Sequence, residues 1–342
     1  MSIVCEKVPQ SDIVKKSAYY GVENYVLVKR SERPKDIEIA KKWCMEPCYM
    51  PSFYEEIAQR IENFEVRPDD VWVVTYAKCG TTWTQEMVWQ ICNDLDYETA
   101  KNVALIERFP FIEFGSILAR DLELTDEVSR AEKMPSPRMI KTHLPAHLLP
   151  RQIWTVRPKI IYVARNTKDT AISFYHHYRN IHRFVGTFDD FMEAFLQDKI
   201  IFSPFHTHII DFWRMRHEEN ILFLTYEDMK RDHPSVIEKT AKFLGKSLNE
   251  DQILELADHL SFAKFSKNPS VNFEKILKKI DTLYGAERPD EDYNFVRKGV
   301  MGGFRGEMSP ELIERFNKWT KNEVQKWNCD TEIEKILLFS TK

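Results

Sequence analysis

Apolar positions along this chain alternate between two periods. Val71-Trp72-Val73-Val74-Thr75-Tyr76 is an unbroken β-branched and aromatic run, the pattern of a strand buried on both faces. Similar runs stand at 137–143, 158–165 and 220–226. Between and after them, apolar residues recur at helical spacing over 167–181, 188–198, 204–217, 230–244, 250–258 and 309–327. Strands alternating with helices predict an α/β fold: a single domain with a mainly parallel sheet flanked by helices on both faces. Residues 1–50 read as polar and irregular, with an extended patch at 25–28 and a helix after Pro34. The division expected is an extension over 1–64 that packs on the core, then the α/β domain over 65–342.

The four strands each end on a polar or charged residue: Tyr76, His143, Arg165 and Tyr226. Ligands of parallel sheets collect at the carboxyl ends of strands, so these ends mark the expected site. The first strand runs straight into Ala77-Lys78-Cys79-Gly80-Thr81-Thr82-Trp83, which opens a helix with Trp83, Met87, Val88, Ile91 and Leu95 on its apolar face. Such a P-loop-like strand–turn–helix aims free N–H groups and the positive helix end at one point, and Lys78 adds a full charge. The loop is not a Walker A motif, because Lys78 precedes Gly80 and no glycine begins the turn. A standard nucleotide triphosphatase is therefore excluded in favour of another anion-binding activity.

Composition narrows the partners. With 342 residues, 43% of them hydrophobic, the chain can bury a large core. A net charge of −4 and a pI near 6.2 argue against nucleic acid. Six cysteines are scattered without a Cys-x-x-Cys pair; Cys44 and Cys48 read as neighbours on a helix, and no metal site is expected. The N-terminus carries no apolar leader, and no stretch approaches the ~20 apolar residues of a membrane span. A soluble cytoplasmic protein with no membrane partner is the expectation.

Four segments together carry a family resemblance: Thr75 to Trp83; Lys141-Thr142-His143-Leu144-Pro145; Val163-Ala164-Arg165-Asn166 through Lys168-Asp169 to Ser173; and Arg297-Lys298-Gly299 with Gly302. In this order and spacing they resemble the cytosolic sulfotransferases, most closely an arthropod-type member. The resemblance implies transfer of a sulfuryl group from 3′-phosphoadenosine 5′-phosphosulfate to the hydroxyl or amine of a small apolar acceptor such as a phenol, steroid or terpenoid alcohol, with no metal required.

By that resemblance Lys78, Cys79, Gly80, Thr81 and Thr82 hold the 5′-phosphate, while Arg165, Ser173, Arg297, Lys298 and Gly299 hold the 3′-phosphate. Trp83, Tyr226 and Phe262 flank the adenine, with a core role for Phe262 as the alternative. Leu260 stands where many relatives have a threonine, so only its backbone can serve. His143 is the implied general base, with Lys78, Lys141 and Ser173 completing the catalytic group. Phe111, Phe114 and Phe205, with Lys141 and His143, are the implied acceptor contacts; Phe202 and Trp213 are expected beside them as a gate, and His206 and His208 at the pocket's border. Cys79, beside Lys78 at a helix start, is expected to have a lowered thiol pKa. Arg305, Ser309-Pro310 and Glu314 stand where the vertebrate dimerisation motif has Lys, Thr-Val and Glu, and Pro310 removes a backbone donor, which puts that homodimer contact in doubt. The stretch 115–136 reads as a substrate-covering loop. Two other readings stay open: a dehydratase on the same scaffold acting on an allylic, retinol-like alcohol, and a non-catalytic nucleotide-binding relative.

Overall fold

The computed structural model describes residues 2–118, 126–284, 289–290 and 293–339. Strands β1 (Ile3–Lys7), β2 (Tyr25–Arg30) and β3 (Cys48–Pro51) form an antiparallel sheet in that order. Strands β4 (Val71–Thr75), β5 (Met139–Thr142), β6 (Lys159–Ala164) and β7 (Ile221–Thr225) form a second, wholly parallel sheet in the order β5-β4-β6-β7. The four strands of the parallel sheet are those read from the apolar runs.

Period-two alternation explains why this sheet is covered on both sides. Val71, Val73, Met139, Ile161, Val163, Leu222 and Leu224 face one core, against Met87, Val88 and Ile91 of the helix Thr81–Cys92 and Ile237 of the helix His233–Phe243. Trp72, Val74, Ile140, Ile160, Tyr162 and Ala164 face the other, against the helices Thr167–Asn180 and Phe205–Met215. A strand buried on both faces leaves little place for polar residues, and the two lysines in this sheet stand at or next to a strand end, Lys159 opening β6 and Lys141 one residue before the end of β5.

The first fifty residues are more ordered than their polarity suggests. The three-stranded sheet shares the second core through Tyr25, Val26, Val28, Tyr49 and Met50. Arg30 at the end of β2 donates two bonds to the Glu62 carboxylate, at 2.6 and 2.5 Å, and a third to the His147 carbonyl at 3.0 Å. The expected helix after Pro34 is a short 3-10 turn, Glu38–Lys42. Cys44 and Cys48 are not helix neighbours: Cys48 opens β3, and Cys44 is held by its backbone N–H on Asp211 at 2.6 Å. The middle of the expected 115–136 loop, 119–125, lies outside the described residues; its flanks are a 3-10 turn, Phe114–Ser116, and a helix, Glu127–Lys133.

Candidate active site

The turn after β4 is built by two left-handed residues. Lys78 has φ +70° and Gly80 φ +103°, a bend that folds the chain back on itself within three residues. A Cβ on Gly80 would meet the Tyr226 ring at 2.9 Å, so both its conformation and its space require glycine. A lysine held at positive φ is strained, and such strain persists where the surroundings fix a functional group. Thr81 and Thr82 form the first turn of the following helix, and Thr81 Oγ1 meets Thr75 Oγ1 at 2.7 Å.

Around this turn gather cations without counter-charge. Among the described residues no ion pair neutralises Lys78, Lys141 or Arg165. The Lys78 ammonium lies 3.4 Å from His177 Nδ1 and 4.4 Å from the centre of the Phe295 ring. Removal from water and the nearby charges of Lys141, Arg165 and Arg297 lower its pKa to about 7. Burial lowers Lys141 to about 8, with Glu113 opposing. Arg165, directly after β6, donates to the carbonyls of Lys78 (3.1 Å) and Val300 (3.3 Å), lies over the Tyr226 ring at 4.3 Å, and keeps a buried Nε with no partner. Like charges packed this way raise each other's cost until an anion joins them.

The loop 297–303 reaches the same place from the far end of the chain. Asp169, in the helix after Arg165, accepts from the backbone N–H of Gly302 (2.7 Å) and of Phe304 (3.0 Å) and so pins it. Gly299 has φ +59°, and a Cβ there would lie 2.4 Å from the Phe262 ring. Arg297 and Lys298 share the Glu307 carboxylate at 3.2 and 2.9 Å. Phe262 is 40% exposed, so the core alternative falls away; its ring lies under Gly299. Trp83 donates its indole N–H to the Leu260 carbonyl at 2.9 Å and meets the Tyr226 ring edge-on at 5.9 Å.

His143 ends β5. Its Nδ1 lies 2.8 Å from the Thr75 carbonyl oxygen, which can only accept, so Nδ1 carries the hydrogen and Nε2 the lone pair. Burial, reinforced by Lys141, pushes its pKa well below the usual histidine value and keeps the ring neutral. Its backbone is fixed on both sides: the N–H donates to Glu113 Oε1 at 2.5 Å and the carbonyl accepts from His208 Nε2 at 2.9 Å. Phe111 and Phe202 meet the ring at 5.0 and 5.3 Å, and Lys141 Nζ lies 4.1 Å over Phe111.

One cleft, enclosing about 1570 Å³ with the part open to solvent, joins these groups. Lys78, Gly80, Thr81, Thr82, Trp83, Lys141, His143, Arg165, Ser173, Tyr226, Leu260, Phe262, Arg297, Lys298 and Gly299 all line it, with Phe111, Phe114 and Phe202 at its apolar end.

Three expected features differ. Phe205 is turned into the core, edge-on to Tyr76 at 5.0 Å and beside Phe195, because it opens its helix on the sheet side; it does not touch the cleft. Trp213 bonds Asp330, and His206 bonds Thr320, so neither borders the pocket; His208 supports His143 from behind. Cys79 faces inward to Thr170 Oγ1 at 3.7 Å, and burial pushes its thiol up to about 12 rather than down. Sequence reasoning overlooked Glu113, His177, His182 and Phe295. His177 stands four residues after Ser173 on one helix, a spacing that places both on one face.

Known proteins agree with this geometry. A family model described as "Sulfotransferase domain" matches residues 68–328. Luciferin sulfotransferase of Photinus pyralis is 40% identical over 292 residues, covering 82% of this chain and 78% of that protein. Sulfotransferase 1 family member D1 of Mus musculus is 38% identical, over 80% of this chain and 88% of its own. A crystal structure of retinol dehydratase in complex with androsterone and inactive cofactor PAP is 30% identical and covers 95% of this chain and 97% of that one, with a TM-score of 0.79. Among the described residues no helix is long and apolar enough to cross a membrane. The basic turn after β4, the matched domain and these relatives together establish that the chain belongs to the sulfotransferase family and is an enzyme of that class.

Proposed function

We propose that this enzyme transfers a sulfuryl group from 3′-phosphoadenosine 5′-phosphosulfate to the hydroxyl of a small apolar acceptor, in a cytoplasmic setting. The observation that carries the reading is a neutral imidazole, His143, with Nδ1 occupied and Nε2 free, in a cleft basic at one end and aromatic at the other. Several features fit the donor. Two separate cationic groups, Lys78 at the turn and Arg165 with Arg297 and Lys298, suit a nucleotide with two anionic ends, and the buried unpartnered Nε of Arg165 awaits an acceptor. Gly299 leaves room above Phe262 that a side chain would fill.

When bound, the donor supplies an activated sulfuryl group on a phosphate leaving group. Lys78 and the N–H groups of Gly80 to Thr82 hold charge that grows on that phosphate, an interaction stronger in the transition state than in the ground state. His143 Nε2 accepts the acceptor's hydroxyl proton. Lys141, on the acceptor side, and Ser173 border the same space and orient the group in transit. Phe111 and Phe114 form the acceptor's apolar wall, and Trp83, Tyr226, Phe262 and the Leu260 backbone enclose the adenine.

Arg165→Ala is expected to weaken binding of 3′-phosphoadenosine 5′-phosphate at least tenfold more than binding of adenosine 5′-monophosphate, measured by calorimetry. Equal losses would place the second phosphate elsewhere. The same titration carries a proton signature. Lys78 and Lys141 are depressed to about 7 and about 8 in the free protein and regain their charge beside an anion. Just above neutral pH, binding should therefore take up protons, seen as a dependence of binding heat on buffer ionisation enthalpy; proton release would contradict the assignment.

A second reading rests on one observation: two retinol dehydratase structures, 30% and 29% identical, cover 95% of this chain with TM-scores of 0.79 and 0.78. With an allylic alcohol the sulfate ester would then be an intermediate that leaves as an alkene forms. Mass analysis of products separates the two, since only transfer leaves sulfur on the acceptor.

A further inference from the structure

Away from the basic turn, the cleft becomes a chamber of hydrocarbon. Ile172, Ile181, Phe273, Ile276, Leu277 and Ile280 line it, the last three on the helix Glu274–Tyr284. Two imidazoles interrupt this wall. His177, in the last turn of the helix Thr167–Asn180, and His182, just beyond it, stand with ring centres 5.2 Å apart and interplanar angle 70°. Sulfuryl transfer makes no use of either.

Their hydrogens can be assigned. With Lys78 charged, as beside a bound anion, its ammonium only donates, so the 3.4 Å approach makes His177 Nδ1 an acceptor and leaves the hydrogen on Nε2. His182 is 2% exposed, packs its ring on Tyr19 at 4.5 Å and Tyr178 at 4.9 Å, and gives its backbone carbonyl to the Tyr20 N–H. Its Nδ1 is buried with no partner. Burial, with Lys78 adding to it, pushes the His182 pKa down to about 3, so the ring is neutral and offers one donor and one acceptor. A polar ring left unsatisfied in an apolar wall is destabilising unless something in the chamber meets it.

We propose that His182, with His177 beside it, is the polar end of the acceptor chamber and selects acceptors that carry a second, uncharged oxygen (a hydroxyl or carbonyl) set apart from the hydroxyl that is sulfated. This rests on the acceptor occupying the apolar end of the cleft, as proposed above. The walls argue for an uncharged oxygen: a carboxylate would leave water for isoleucine and phenylalanine side chains and neutral imidazoles, and the nearest cation, Lys78 beyond His177, is the one assigned above to the donor's phosphate. A site built to bond an oxygen discriminates strongly against the analogue without it, because its own polar group is then left unpaired.

The test uses the full chain saturated with 3′-phosphoadenosine 5′-phosphate and measures equilibrium binding of matched pairs. Suitable pairs are 17β-estradiol and its 17-deoxy analogue, 2,6-dihydroxynaphthalene and 2-naphthol, and a terpenoid diol and its monool. The expected result is at least a tenfold preference for the oxygenated member in one or more pairs. His182→Phe should abolish that preference, and His182→Gln, which retains a donor and an acceptor, should keep most of it; unchanged nucleotide binding certifies that both variants are folded. Equal affinity within every pair, no binding of any member, or a preference that survives His182→Phe overturns the proposal. Because the readout is binding, a preference that persists while no acceptor is ever sulfated would remove the transfer reading and leave this one standing.

Discussion

His143→Ala is expected to slow sulfuryl transfer about 10²–10⁴-fold, the span of a positioned general base, with binding of 3′-phosphoadenosine 5′-phosphate left within a few-fold of the wild type. Nδ1 is committed to the Thr75 carbonyl at 2.8 Å and the backbone is clamped by Glu113 and His208, so the one free function of the ring is the Nε2 lone pair. The basic turn after β4 and the 297–303 loop make no hydrogen bond to this ring and should keep their geometry without it. The pH dependence has a definite sign. A base works in its neutral form, and burial holds the His143 pKa well below the usual value; activity should therefore survive below the ordinary histidine range and fall only as pH drops through the lowered value. Full activity in the alanine variant, or an acid limb centred at the ordinary histidine pKa, would contradict the assignment.

Lys78→Ala should be the second large loss, about 10²–10³-fold in turnover by analogy with removal of one preorganised oxyanion donor, with acceptor affinity nearly unchanged. The ammonium sits in a strained turn among Arg165, Lys141 and Arg297 with no carboxylate to neutralise it among the described residues. That arrangement destabilises the empty site and favours whichever state carries the most negative charge beside it. Nucleotide affinity should fall less than turnover, since Arg165 and the 297–299 loop remain. An unchanged rate would remove Lys78 from the chemistry; a loss confined to nucleotide affinity would make it a binding residue only. A thermal melt without nucleotide gives a further check. Lys78 is depressed to about 7 in the folded chain and titrates near its ordinary value when unfolded, so the wild type gains stability as pH rises from about 7 to about 10. The alanine variant should lose the part of that gain that sets in near pH 7, while Lys141, depressed to about 8, still contributes above it.

Much of this site is legible in the sequence because parallel strands are buried on both faces and carry charge only at their ends. His143, Arg165 and Tyr226 stand out for that reason and all three line one cleft, whereas Tyr76 turns into the core against Phe174 and Phe205. The resemblance marks Gly80 and Gly299 as nucleotide-holding positions, and in the fold each would set a Cβ against an aromatic ring. The antiparallel sheet of the first fifty residues was not legible. Its strands are short and its partners far apart, and a polar-looking stretch is fixed by contacts such as Arg30 with Glu62 and His147 that no local pattern announces. Phe205 illustrates a different limit: an aromatic at a helix start reads alike whether it faces ligand or core, and the orientation of the whole helix decides. His182 carries no signal in the sequence, where it is a lone histidine after a helix; only the fold sets the helix Glu274–Tyr284, about a hundred residues later, on the same cleft.

A single-turnover assay separates sulfuryl transfer from nucleotide binding alone. Enzyme in excess is mixed with 3′-phosphoadenosine 5′-phosphosulfate labelled in the sulfur, in the presence and absence of a phenol, steroid or terpenoid alcohol. The account predicts that label moves to the acceptor's oxygen, or in an allylic alcohol leaves with it as alkene appears, in step with release of one equivalent of 3′-phosphoadenosine 5′-phosphate, and that His143→Ala binds the donor without moving the label. Label that stays on tightly bound nucleotide whatever acceptor is offered would contradict it.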